Sequence, residues 1–224
     1  MSKITDYAFL FQKSFGTSGV NAIGIGSFQL SQLNSSSVQA QLKAAGINTN
    51  SKQYKSAVKQ MMSAGNGAMY GNIQGIKNLM SHYDKDGDYI NPVNRLSGLL
   101  VTDENESSRK RIISIPDSSK EEMYELTKKE FLRENGVHNG DTTKRTDVYN
   151  NLYRKMSKKD RLAAGYTLEK YERIYRQAFY DAAKKADPDW KIGNPIKAGA
   201  LDDVTRESAE TGKSPAQATL DTKI

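Results

Sequence analysis

The sequence contains no cysteine. Disulfides, thiolate catalysis and cysteine-ligated zinc are therefore excluded. The absence fits a cytosolic bacterial protein, and equally a bacterial protein exported without disulfide chemistry. Histidine is scarce as well, with His82 and His138 the only two. No GxSxG, phosphate-loop or HExxH pattern occurs. A nucleophile would have to be a serine, threonine, lysine or carboxylate, and no nucleophile–base pair is visible along the chain. Long apolar runs are missing too. The runs are only a few residues, such as Gly-Leu-Leu-Val at 98–101 and Ile-Ile at 112–113, whereas a lipid-spanning helix needs about 20 mostly apolar residues. The stretch 1–16 lacks a basic n-region, an apolar h-region and a small-residue cleavage site. The expected location is the cytoplasm, or outside it by a route without a standard signal peptide.

Positive charge is in modest excess. Thirty-three Lys and Arg stand against 26 Asp and Glu, a formal net charge of +7, spread along the chain rather than gathered in one block. The mean hydropathy of −0.71 indicates that part of the chain is solvated. Only five prolines occur, and three of them, Pro92, Pro116 and Pro188, fall where the periodic pattern starts or stops.

The periodic pattern is helical over most of the chain. Residues 3–15 place Ile4, Tyr7, Ala8, Phe11 and Phe15 on one helical face, an amphipathic segment suited to a protein partner. From Ser14 to Leu42 no charge occurs, and the Gly-, Ser- and Asn-rich part up to Ser35 reads as a connector. A helix from Ser36 or Ser37 to Ala45 is expected. A second, capped by Asn50 or Ser51, turns Tyr54, Ala57, Val58, Met61 and Met62 inward. A third runs from about Ala68 to Tyr83. Residues 98–102 and 110–115 read as two strands of a hairpin closed by the polar stretch between them. Ser118 and Glu121 form a capping-box pattern before a helix that buries Met123, Leu126, Thr127 and Phe131. Helices follow at about 146–156 and 157–164. Thr167 then caps the longest one, which buries Leu168, Tyr171, Ile174, Tyr175, Ala178, Phe179 and Ala182, with Trp190 folding back on it. From about Ser208 a frayed tail is expected.

Two stretches carry candidate chemistry. In YDKDGDYINP, from Tyr83 to Pro92, Asp84, Asp86 and Asp88 stand at positions 1, 3 and 5 after a helix. That is how a calcium loop begins, because Ca²⁺ collects six to eight oxygens. Asn91 adds an amide oxygen. The back half departs from the EF-hand pattern: Tyr89 takes the place of the turn glycine, and Arg95 that of the bidentate glutamate. The competing reading is an Asx-type turn. His82 lies two residues from Asp84, a spacing that diverges on a helix. The second stretch holds the densest basic residues: Lys144, Arg145, Arg154, Lys155, Lys158, Lys159 and Arg161. These make a candidate anion-binding region, with a solvated helix face as the plainer account. The tyrosines 149, 153, 166, 171, 175 and 180 fit a core and its rim, each ring buried and each hydroxyl at an edge.

The ordered series ITDYAFLFQ, DKDGDYI, ELTKKEFLRENG, DTTKRTDVY and DPDWKIG with LDDVTRES resembles an uncharacterised family of gut clostridia and related Firmicutes. The resemblance runs over most of the chain and implies origin and fold, with no activity to carry over. Its N-terminal stretch looks like leaders of some clostridial proteins linked to the cell surface or flagella.

The sequence thus predicts a mainly α protein with one EF-hand-like helix–loop–helix and a small β-hairpin. Residues 1–35 form an N-terminal segment and linker, 36–200 a single helical domain with the hairpin at about 98–115, and 201–224 a polar tail. The expected role is a non-enzymatic structural or interaction protein steadied by Ca²⁺. A nucleic-acid or anionic-polymer binder is the alternative, with nucleic acid the less expected partner, and a glycan-acting enzyme comes third.

Overall fold

A computed structural model describes residues 27–63, 70–137 and 144–212. The amphipathic segment 3–15, His138 and the tail beyond 212 lie outside the described residues. The fold is mainly α with a small two-stranded antiparallel sheet. The chain forms two compact units dividing between Leu100 and Val101, each with its own hydrophobic core.

In the first unit, β1 (Ser27–Gln29) pairs with β2 (Tyr70–Asn72), Phe28 opposite Gly71. Three helices follow the same core: α1 (Ser36–Ala44), α2 (Lys52–Ser63) and α3 (Ile73–Met80). Each starts at a side-chain cap. Ser35 accepts from the Val38 amide, Ser51 from Tyr54 and Asn72 from Gly75. The third helix begins later than the periodicity implies because residues 70–72 are extended to meet β1. Phe28, Leu42, Tyr54, Ala57, Met61, Ile76, Leu79 and Tyr83 fill the core. Met62, expected inside, is 56% exposed, and Gln60 is buried in its stead, its amide oxygen accepting the Tyr83 hydroxyl at 2.6 Å.

In the second unit, α4 (Glu106–Arg109) is a single turn, followed by α5 (Asp117–Glu134), α6 (Arg145–Lys155), α7 (Arg161–Ala186) and α8 (Arg206–Thr211). The hairpin expected at 98–115 is not formed. Asn105 takes the Thr102 amide on its side-chain oxygen at 2.8 Å, and the chain winds into α4 where a hairpin loop was expected. Residues 111–115 form neither helix nor strand; the Ile113 amide donates to Thr167 Oγ1 of α7 at 3.1 Å and Ile115 joins the core. The same contact corrects the expectation for Thr167. It is a buried residue inside one continuous helix, its hydroxyl donating to the Ala163 carbonyl at 2.8 Å, and no new helix starts there. Nor does Ser118 cap α5, which begins at Asp117 behind Pro116.

The long helices α5 and α7 pack together, and α6 lies against both. Met123, Leu126, Phe131, Leu152, Leu168, Tyr175 and Phe179 make the interior. Aromatic rings extend it in one chain of contacts, from Tyr175 to Tyr124, Phe179, Phe131 and Trp190. At the α6–α7 crossing, Gly165 admits Tyr153: a Cβ at 165 would stand 2.6 Å from the tyrosine hydroxyl. Beyond α7 the chain turns back over the bundle. Asn135 at the end of α5 accepts the Gly193 amide at 2.7 Å, and Trp190 is buried. Thr205 and Ser208 form a reciprocal capping box for α8, so the expected frayed tail is helical as far as Thr211.

Candidate functional site

The acidic stretch leaves α3 as a structured loop. The chain doubles back on itself, with bridges joining Tyr83 to Tyr89 and Ile90 to Ser97. The incoming helix of a helix–loop–helix is present. The outgoing one is not, because residues 92–94 form a turn. Asp84 is the organiser of the first half. Its Oδ1 accepts the Asp86 amide at 2.9 Å and the Asp88 amide at 3.0 Å, the Asx geometry that aspartate favours. Asn91 does the same for the second half, accepting from Val93 at 2.9 Å and from Asn94 at 3.4 Å. Arg95 then takes a left-handed conformation, φ 61°, which is uncommon outside glycine, asparagine and aspartate.

The loop is clamped to α2 from one side. Gln53 donates to the Met80 and Tyr83 carbonyls at 2.9 and 2.8 Å. Ser56 donates to the Gly87 carbonyl at 2.8 Å. Gly87 itself has φ +83°, and a Cβ there would lie 3.0 Å from the Lys52 carbonyl oxygen. Both the backbone conformation and the close approach require glycine.

The loop's form is set by its own hydrogen bonds. Asp84 Oδ1 accepts two backbone amides. Asp86 and Asp88 are exposed. Among the described residues, no three His, Cys, Asp or Glu side chains gather where they could hold a metal ion. Asn91, expected as a fourth ligand, spends its side-chain oxygen on the following turn. His82 is half-buried at the base of the loop with Nδ1 out of reach of any hydrogen-bond partner. Burial, reinforced by the nearby Arg95 charge, pushes its pKa below the ordinary value of 6.5.

The basic stretch 144–161 is drawn into the second unit's framework. Arg145 forks onto Glu172 with contacts of 2.6 and 2.8 Å and reaches Glu130 at 2.5 Å. One guanidinium thereby ties α6 to both α5 and α7. The Glu172 hydrogen bonds, followed by those of Glu130, hold its pKa above the usual arginine value against burial. Burial acts to raise the Glu172 carboxyl, but Arg145 and then Arg176 outweigh it and hold it below 4.5. Arg176 extends the network to Glu134 at 2.7 Å. At the other end of α6, about 15 Å along the axis at 1.5 Å per residue, Lys155 pairs with Glu122 at 3.1 Å. Arg161 donates from Nε to the Tyr153 carbonyl at 3.2 Å. Lys144, Arg154 and Lys159 are exposed and Lys158 is half-buried. Arg145, Lys155 and Arg161 thus hold partners within their own unit.

Sequence reasoning missed a second ionic cluster at α8. Arg206 meets Glu121 at 2.9 Å and Glu210 at 3.0 Å. Glu210 also accepts the hydroxyl of the buried Tyr175 at 2.8 Å. Lys120 sits 3.0 Å from Asp117 and lies over the Tyr171 ring. Tyr124 donates to the Val204 carbonyl. The Lys120–Asp117 and Arg206–Glu210 spacings of three and four were readable locally; the contacts of Arg206 with Glu121, Tyr175 with Glu210 and Tyr124 with Val204 join residues distant in sequence. Between α5 and α6 lies an open groove of about 520 Å³, rimmed by Glu121, Glu122, Glu125 and Asp147 with Leu126 and Val148 beneath.

The family model of a domain of unknown function, DUF3879, matches residues 47–224. The chain belongs to that family. The match covers α2, β2, α3, the acidic loop and all of the second unit. It leaves β1 and α1 outside, although both pack into the first unit's core. No curated protein and no solved structure matches the chain. No helix among the described residues is long and apolar enough to cross a membrane.

Proposed function

We propose that this DUF3879 chain is a non-enzymatic structural or interaction protein. The observation that carries the reading is the use made of Arg145. This residue of the basic region bridges Glu130 and Glu172 and so joins three helices. Charge is spent on building a fixed shape, and a fixed shape is what a scaffold or binding partner offers. The acidic loop supports the same reading. Its aspartate and asparagine side chains hold its own backbone, and calcium is not needed to explain its form.

The competing polyanion reading makes a different prediction. Binding to DNA or heparin through several Lys and Arg residues gives an affinity that falls steeply with salt. The test is retention on immobilised heparin across a salt series, for the intact chain and for Arg154→Ala with Lys159→Ala. Weak retention that those substitutions leave unchanged is expected. Tight retention with a steep salt slope, lost on substitution, would overturn the structural reading in favour of polyanion binding.

A further inference from the structure

We draw no further inference here: the strongest candidate, the open groove between α5 and α6 rimmed by Glu121, Glu122, Glu125 and Asp147, is a cluster of carboxylates of which Glu121 and Glu122 already pair with Arg206 and Lys155, and nothing in the structure shows what covers it.

Discussion

Ser56 and Gly87 meet closely enough that each fixes the other: the serine hydroxyl donates to the glycine carbonyl at 2.8 Å, and a Cβ on the glycine would stand 2.7 Å from that hydroxyl. Gly87→Ala brings in a methyl group where φ is +83° and the Lys52 carbonyl is 3.0 Å away. A loss of about 1–3 kcal/mol is expected. Ser56→Ala removes one hydrogen bond and should cost about 1 kcal/mol. Adding Ser56→Ala to Gly87→Ala should rescue little, because the Lys52 backbone remains in the way. Urea unfolding of the four proteins measures this, and full rescue by the double substitution would contradict the backbone clash.

Asp84 acts through one oxygen that accepts two amides. Asn offers the same acceptor, so Asp84→Asn should keep the loop and melt close to the parent. Asp84→Ala should lose about 1–2 kcal/mol, the worth of two hydrogen bonds. Because the carboxylates do not gather on a point, millimolar Ca²⁺ should shift neither the melting temperature nor the order of the variants. A calcium-dependent rise that is abolished in Asp84→Asn would show that the loop rearranges around a cation.

Arg145→Ala should destabilise the second unit by about 1–2 kcal/mol. That figure is discounted because the arginine side chain is 40% exposed. Arg145→Lys should recover only part of it, since an ammonium cannot fork onto Glu172 and reach Glu130 together. Thermal melts at low and at high salt check both points, and the deficit should shrink as salt screens the network.

How far this arrangement was legible in the sequence depends on the range of the interaction. The stripes that bury Leu168, Tyr175 and Phe179, or Ala57 and Met61, are local patterns and point to the faces that pack. Ser51 and Gly87 are local signals as well. Thr167 misleads because a threonine hydroxyl serves equally at a helix start and, by bonding the carbonyl four residues back, inside a helix. The segment 111–115 has strand-like composition, but Ile113 finds its partner on a helix 54 residues away. The aspartates at 84, 86 and 88 read equally as ligands and as turn formers, and only their hydrogen bonds separate the two. Arg145 looked like a surface charge because Glu130 and Glu172 are brought to it only by folding.

Tyrosine ionisation should open the second unit at alkaline pH. Burial, then the hydrogen bond and charge of Glu210, hold Tyr175 well above the ordinary phenol value of 10.0. Burial, then nearby carboxylates, push Tyr124 and Tyr149 to about 12. In each case the folded state favours the neutral phenol. The stabilisation is intact below pH 10 and is lost as the pH rises through 10 toward about 12. The phenolate absorbance of Tyr124, Tyr149 and Tyr175, isolated by difference against the Tyr→Phe variant of each, should therefore appear late, in step with loss of helical circular dichroism. Difference signals of these three phenols appearing near 10 with helicity intact would contradict their burial. The first unit should respond at the opposite end of the scale. His82 is held below 6.5, so its neutral form is favoured and stability falls as the pH drops through 6.5 and below. His82→Gln should flatten that acid limb.

The meeting of Tyr153 with Gly165 gives the crossing of α6 and α7 a hereditary character. A Cβ gained at 165 stands 2.6 Å from the tyrosine hydroxyl, too close for the ring to stay where it is, so the two sites are not free to drift separately. A lineage that acquires alanine at 165 is expected to have already traded the tyrosine at 153 for something shorter, and one that keeps the tyrosine stays bound to glycine.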